Sequence, residues 1–250
     1  MTNRDGSPSA AVAVVHLVGG PYVHSGGRRL EVPEGSKRLL VFVAVSGGKV
    51  DRRHAAGTLW PHGDDVRAAG NLRSALWRLR TARVDVIDSD KPVLTLRRGT
   101  VVDTDLLCAW ADRVVDPRVP TSELRGLQWR TEALNLLPGW HDDWVIFERE
   151  RLRQRILHAL EALSRRCAAA GRHDEAVDAA LAAVCAEPLR ESAQKALVSA
   201  HLAEGNLSEA RRVYRNYRRL LARELGVRPS AGLTALVGLH NSPVRPSAAR

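Results

Sequence analysis

A six-residue pattern that occurs twice, 34 residues apart, constrains the C-terminal half of the chain more than any other feature. Gly171–Ala176 reads GRHDEA and Gly205–Ala210 reads GNLSEA. This offset is the period of tetratricopeptide helix pairs. Each glycine is expected to end a helix in a left-handed conformation, and the small alanine lets the next helix pack closely. The sequence therefore predicts a helical repeat in this region.

Helical patterns continue through the rest of the chain after residue 104, and Gly or Pro separates most of them. The predicted helices span Asp105–Val115, Thr121–Leu136, Asp143–Ala170, His173–Ala186, Glu191–Glu204, Ser208–Leu225 and a short segment near Ser230–His240. Residues 1–10 and 241–250 are expected to be disordered tails. Three widely spaced cysteines without a CxxC pair favour reduced thiols and a cytoplasmic location.

The N-terminal region has a different pattern, in which short strands surround three helices. The predicted strands are Val12–Val18, Tyr22–His24, Arg28–Val32, Val84–Asp88, Val93–Leu96 and Val101–Asp103. The predicted helices are Gly35–Val45 with Ser36 as N-cap, Arg52–Trp60 capped by Asp51, and Asp64–Arg83. A hairpin that directly follows the third helix is typical of the wing of a winged helix-turn-helix. The predicted fold is mainly α with a small β portion: a winged helix-turn-helix over residues 1–102, then an all-α tetratricopeptide-like domain over residues 103–240.

The third helix, Asp64–Arg83, has two distinct faces. Its predicted buried stripe consists of Ala68, Leu72, Ala75, Leu76 and Leu79. The opposite side carries Arg67, Asn71, Ser74 and Arg78, at i, i+4, i+7 and i+11. Five arginines and no acidic residue follow Asp65. Arg, Asn and Ser side chains suit base edges and phosphate oxygens, so we interpret this face as a DNA-reading surface. An ordinary solvated basic face is the alternative.

Other basic residues are candidates for phosphate contacts. They are Lys37, Arg38, Arg52, Arg53, Arg73 and Lys91. Trp77 lies on the polar side of the third helix and is expected to pack at a domain border rather than to stack on bases. The chain carries a net charge of +10 and a pI of about 10.5, which suits an anionic partner. Each half of the chain contributes +5, so net charge alone does not locate the binding domain.

Patterns for catalysis, cofactors and metals are missing from the sequence. No HExxH, GxSxG or GxGxxG occurs. His62, Asp64 and Asp65 fall in one exposed loop, where we expect a turn and a helix cap rather than a metal site. The N-terminus lacks the apolar run of a signal peptide, and no apolar run reaches membrane-spanning length. We therefore predict a protein that is not an enzyme and needs no cofactor.

Several segments resemble the Streptomyces antibiotic regulatory proteins, which pair an OmpR-like winged helix with a bacterial transcriptional activation domain. The N-terminal segments are Lys37–Leu40, Leu59-Trp60, Ala68–Arg80 and Val102-Asp103. The C-terminal segments are Leu137–Gly139, Asp143-Trp144, Glu148-Arg149, Leu152, Gly171–Ala176, Glu187–Glu191, Gly205–Ala210, Tyr214, Leu221, Glu224–Val227 and Pro229-Ser230. The sequence departs from the family at the second wing strand, where Lys91-Pro92-Val93 replaces the usual Gly-Tyr.

The resemblance implies a small, stand-alone transcription activator that acts on a secondary-metabolite gene cluster. By this resemblance the winged helix binds direct repeats in double-stranded DNA as a homo-oligomer. The helical domain contacts RNA polymerase, and no membrane is involved. A helical-repeat adaptor whose winged helix no longer binds DNA is the alternative that the sequence leaves open.

Overall fold

The computed structural model describes residues 12–90, 92–124 and 135–239, and it confirms the predicted fold class. The chain forms two compact units: residues 1–107 with 132–152, and residues 108–131 with 153–250. The domain boundary predicted between residues 102 and 103 stays a prediction. Both predicted tails, Lys91 and the centre of the predicted helix Thr121–Leu136 lie outside the described residues.

Seven strands form two small sheets in the first unit. Strands β1 (Val14–His16), β2 (Tyr22–Ser25), β3 (Arg28–Glu31) and β7 (Val101–Val102) form one sheet in the order β3-β2-β1-β7. Strands β4 (Lys49–Asp51), β5 (Ile87–Ser89) and β6 (Val93–Leu96) form the second, in the order β4-β6-β5. Among the strands of the described residues, β1 and β7 are the one parallel pair. The hairpin β5–β6 is the predicted wing.

The sequence did not predict β4, which pairs antiparallel with β6. Three residues between a glycine turn and a helix cap are too few to show a strand period. The largest differences from the predicted strand boundaries are that β1 is shorter than Val12–Val18 and that β5 starts three residues after Val84. These differences follow from pairing, since β1 pairs with β2 only from Val14 to His16.

Three helices lie between β3 and β5 in the sequence: α1 (Glu34–Val45), α2 (Arg52–Leu59) and α3 (Asp65–Thr81). Asp51 caps α2 and Asp64 caps α3, as predicted. The prediction that Ser36 caps α1 is wrong, because Pro33 is the N-cap and the helix starts two residues before Ser36. Ser36 is buried instead, and its hydroxyl donates a hydrogen bond of 2.8 Å to the Ala75 carbonyl. This bond joins α1 to the middle of α3.

The prediction that Asp103 ends a strand is wrong, because Asp103 begins helix α4 (Asp103–Val115). Its buried carboxylate accepts hydrogen bonds of 3.0 Å from the backbone N–H groups of Leu17 and Val18. Burial raises the pKa of this carboxyl group, and the backbone N–H bonds oppose that rise. The side chain thereby satisfies the backbone beyond the end of β1.

Residues 135–142 and the start of helix α5 (Asp143–Ala169) complete the first unit. Leu136 forms an antiparallel bridge with Val18, so the predicted helix Thr121–Leu136 is wrong at its C-terminal end. At its N-terminal end only a short 3-10 helix, Thr121–Glu123, is present. The Arg149 guanidinium donates to the carbonyls of Leu136, Leu137 and Trp140, which fixes this extended segment.

The second unit contains helices whose bounds match the predictions within one or two residues. They are α5 from residue 153, α6 (His173–Ala186), α7 (Glu191–Ala203), α8 (Leu207–Leu225) and α9 (Ala231–Leu239). Gly171 and Gly205 have φ angles of 74° and 84°, and Ala176 and Ala210 are fully buried. The repeat therefore has the predicted local geometry. Across the described ranges, no helix combines the length and apolar character that a membrane span requires.

Candidate nucleic-acid interface

Helix α3 presents one apolar face to the core of the first unit. All five residues of the predicted stripe, Ala68, Leu72, Ala75, Leu76 and Leu79, are buried. The hydrogen bond from Ser36 to Ala75 fixes the rotation of α3 against α1. Because a helix has a period of 3.6 residues, this docking turns the predicted reading face away from the core.

The predicted reading residues share this outward face of α3. Arg67, Ser74 and Arg78 are exposed, and Asn71 is half-buried. Residues 67 and 78 are three turns apart, so the face extends over about 16 Å. The Ser74 hydroxyl donates to the Gly70 carbonyl at 3.1 Å, which leaves its oxygen lone pairs as acceptors.

Two glycines leave room for arginines of this face. A Cβ atom on Gly35 would lie 2.7 Å from Nη1 of Arg78, and one on Gly63 would lie 3.4 Å from Cδ of Arg67. Gly35 is in the first turn of α1, so the Arg78 guanidinium lies close to the backbone there. The orientation of Arg78 thus depends on a residue that is distant in sequence.

The charge of α3 is not neutralised by the protein. Within residues 12–90, 92–124 and 135–239, the guanidinium groups of Arg67, Arg73, Arg78 and Arg80 have no ion pair and no hydrogen bond to protein. All four arginines are exposed. Sequence reasoning did not select Arg80, although it lies seven residues after Arg73 on the same flank of the helix. A cationic surface without internal acids suits phosphate oxygens.

The predicted phosphate contacts outside α3 have different surroundings. Lys37 pairs with Glu34 at 2.6 Å, and Arg38 pairs with Asp142 and donates to the Leu59 carbonyl at 3.0 Å. Arg52 donates to the Ser89 hydroxyl, whereas Arg53 is exposed on α2. Arg53 and the α3 arginines are therefore exposed cations, whereas Lys37, Arg38 and Arg52 have partners inside the protein. Their roles in DNA binding stay predictions.

The wing is acidic in the part that the structure describes. Arg97 forms ion pairs with Asp85 and with Asp88, the latter at 2.9 Å. Asp90 lies at the exposed tip beside Lys91. The described wing therefore uses its arginine to hold its own carboxylates.

Two other sequence interpretations can be compared with the structure. Trp77 is 66% exposed, and its expected packing at a domain border stays a prediction. The carboxylate of Asp64 accepts a hydrogen bond from the Arg67 backbone N–H at 2.7 Å, which confirms its interpretation as a helix cap. Among the residues that the structure describes, no group of three metal-ligating side chains comes together.

Comparisons with known proteins agree with this architecture. Residues 125–238 match the family model of the bacterial transcriptional activator domain. The regulatory protein AfsR of Streptomyces griseus is 36% identical over 143 residues, which are 57% of this chain and 14% of that protein. AfsR of Streptomyces coelicolor is 39% identical over 108 residues, which are 43% of this chain and 11% of that protein. The matches thus span about a seventh or less of these relatives.

A solved structure, Mycobacterium tuberculosis EmbR in complex with a low-affinity phosphopeptide, shares the fold. The TM-score is 0.66 at 19% identity, with 94% of this chain and 67% of that chain covered. The domain match, the AfsR relatives and this fold together confirm the resemblance drawn from the sequence. The chain is thus similar to regulators of the Streptomyces antibiotic regulatory protein family, and its residues 125–238 match the bacterial transcriptional activator domain.

Proposed function

We propose that the protein is a sequence-specific DNA-binding regulator of transcription, and that it activates its targets. The observation that carries this proposal is the outward face of α3, where four exposed arginines have no internal partner in the described chain. In a winged helix-turn-helix, this is the helix that enters the major groove. The match of residues 125–238 to an activator domain supports the regulatory role.

In this proposal the α3 residues read base edges. Arg67 and Arg78 present guanidinium groups that can bind guanine in a bidentate manner, and Asn71 can bind adenine in the same way. Ser74 offers hydroxyl lone pairs to a base amino group. The N-terminal part of a recognition helix contacts the bases, so Arg67 and Asn71 carry most of the sequence preference.

Phosphate contacts hold α3 in the groove. Arg73, Arg80 and Arg53 need no rearrangement to reach a phosphate, because the structure gives them no competing partner in the described chain. Lys37, Arg38 and Arg52 would exchange their present partners for phosphate oxygens. These contacts position the protein without selecting a sequence.

The remaining parts of the proposal follow from the family. The winged helix would bind direct repeats near a promoter as a homo-oligomer, in the cytoplasm at the nucleoid. The activator domain would contact RNA polymerase, and the targets would be genes of a secondary-metabolite cluster. The relatives are matched over a small share of their length, so these roles rest on the domain match and on the α3 face.

The test is fluorescence anisotropy of the full chain on the promoter DNA beside its own gene, with random-sequence DNA as competitor. Tight binding that survives the competitor is expected for the wild type. The double variant Arg67→Ala with Arg78→Ala should lose this preference. A matched control is Arg118→Ala with Arg151→Ala, which removes the same charge from two exposed, ion-paired arginines. Equal loss in both variants would contradict reading by α3.

A protein-interaction adaptor is the second candidate, and the acidic wing favours it. Because Arg97 is held by Asp85 and Asp88, the described wing offers little positive charge to a DNA backbone. An adaptor would bind DNA weakly, and its affinity would change little with salt concentration. Anisotropy at several salt concentrations separates the two functions.

A further inference from the structure

Helix α8 carries a second basic surface, which lies in the second unit. Residues 210–223 contain six arginines and no acidic residue, at positions Arg211, Arg212, Arg215, Arg218, Arg219 and Arg223. Five of these six side chains are exposed, and Arg211 is partly buried. We refer to these six residues as the α8 basic face. Residues 211 and 223 are separated by about 18 Å along the helix axis.

The opposite side of α8 is part of the core of the second unit. Ala210, Tyr217 and Leu221 are buried in one cluster with Val198 and Leu233. The Tyr217 hydroxyl also donates to the Leu189 carbonyl at 3.2 Å. The apolar side of α8 is therefore occupied, which rules out insertion of this amphipathic helix into a lipid surface.

Repulsion within the α8 basic face indicates an external anion. Arg211, Arg215, Arg219 and Arg223 follow one another at intervals of four residues, where like charges destabilise a helix. Glu209 pairs with Arg212 at 2.5 Å and Glu224 pairs with Arg223 at 2.7 Å, and Arg219 donates to the Asn216 side-chain oxygen at 2.6 Å. Arg215 and Arg218 have no ion pair or hydrogen bond to protein within the described ranges.

The composition of the face favours a nucleic-acid backbone over a protein partner. Throughout α8, which is described completely, the exposed residues between 211 and 223 are arginines, Asn216 and Ala222. Protein interfaces need apolar or aromatic anchors at their centre and are depleted in charge there. A row of arginines without such anchors instead matches the regular negative charge of duplex DNA.

We propose that the α8 basic face binds the phosphate backbone of duplex DNA, as a contact additional to the one made by α3. It adds affinity without sequence preference, because arginine contacts to phosphates carry no base information. The inference deepens the proposed function and rests on it, since it assumes that the chain acts on DNA. By this proposal, the activator domain also binds DNA.

The test uses the full chain and random-sequence duplexes of two lengths, about one helical turn and about four turns. The long duplex offers several times as many phosphates as the short one, so more basic side chains can contact it at once. The logarithm of the association constant is measured against the logarithm of salt concentration. The slope reports the number of phosphates contacted.

The wild type is expected to have a steeper slope on the long duplex than on the short one. Arg215→Ala with Arg218→Ala should reduce the long-duplex slope by about 1.8, which is two phosphate contacts. Arg215→Lys with Arg218→Lys should keep the slope, because the charge remains. The control Arg118→Ala with Arg151→Ala should also keep it.

An unchanged long-duplex slope in the α8 variant would overturn the inference. A second result would also overturn it: Arg215→Ala with Arg218→Ala weakens binding of poly-glutamate but leaves the DNA slope unchanged. That result would assign the α8 basic face to an acidic protein partner. Circular dichroism of the alanine variant checks folding, and the lysine variant provides the same test with the charge retained. Failure of the proposed function has a different signature. In that case, Arg67→Ala with Arg78→Ala leaves the preference for promoter DNA unchanged.

Discussion

Arginines in two regions of this molecule have opposite surroundings. On α3, Arg67, Arg73, Arg78 and Arg80 are exposed and have no internal partner in the described chain. In the helical unit, Arg190 pairs with Glu161 at 2.6 Å, and Arg172 pairs with Glu175 and donates to the Leu124 carbonyl at 3.0 Å. Arginine content therefore does not identify a binding surface. What identifies it is whether the protein already satisfies the guanidinium groups.

The paired arginines of the helical unit hold segments of the fold together. Arg166 donates to the carbonyls of Val114 and Asp116, both at 2.8 Å, and so fixes the chain that follows α4. Arg190 and Ser192 both donate to the same carboxylate oxygen of Glu161, a residue that is only 5% exposed. A guanidinium with several fixed acceptors in the fold must break those contacts before it can bind DNA.

The largest expected effect is that of Arg190→Ala on stability. The variant leaves the buried Glu161 carboxylate without its cation, which should lower the free energy of unfolding by about 3 kcal/mol. Chemical denaturation measures this change. Arg118→Ala, at an arginine whose side chain is 88% exposed, should change stability little. An Arg190 variant as stable as the wild type would contradict the structural role of this ion pair.

Arg67→Ala should weaken DNA binding and leave stability almost unchanged, which is the converse of the effect of Arg190→Ala. We expect a loss of about 1–3 kcal/mol of binding free energy, with relaxed specificity at one base pair and almost no change in stability. Anisotropy on single-base variants of the promoter measures the specificity, and thermal unfolding measures the stability. A large loss of stability in this variant would show that Arg67 is engaged within the protein.

Ser36→Ala tests how α3 is held with its arginines facing outward. The variant removes the buried hydrogen bond to the Ala75 carbonyl, and we expect a loss of about 1 kcal/mol of stability. Ser74→Ala is the matched control, because that hydroxyl is exposed and bonds within its own helix. Denaturation of both variants compares them, and equal losses would contradict the docking role of Ser36.

The smallest expected effect is that of Gly35→Ala, where stability and binding should change in opposite directions. Alanine is the better helix former, so stability should rise by about 0.5 kcal/mol. The added Cβ atom would lie 2.7 Å from Nη1 of Arg78 and would displace this flexible side chain. Specificity at the base read by Arg78 should therefore weaken, whereas that at the base read by Arg67 should not. Unchanged specificity at both positions would contradict the dependence of Arg78 on Gly35.

Local patterns predicted the helices well where the chain gives clear caps and a full apolar period. Asp64 and the five-residue stripe located α3, and the two glycines at an offset of 34 located the helical repeat. Prediction failed where long-range pairing decides. Leu136 lies in a bridge with Val18, and β4 exists because β6 pairs with it.

The sequence predicted the face of the candidate site but not the partners of its surrounding arginines. The face of α3 followed from helix geometry, since a period of 3.6 residues places Arg67 and Arg78 on one side. The surroundings of Arg38 and Arg97 could not be predicted, because their partners Asp142 and Asp85 are brought close only by folding.

The sequence by itself determined the fold class and the positions of the basic helices, because caps, apolar periods and repeat spacing act within a few turns of chain. Only the tertiary structure decided which cations remain available. Arg38, Arg97 and Arg190 acquire acidic partners at distances of 104, 12 and 29 residues along the chain. Charge neutralisation depends on separation in space, which the order of residues does not reveal.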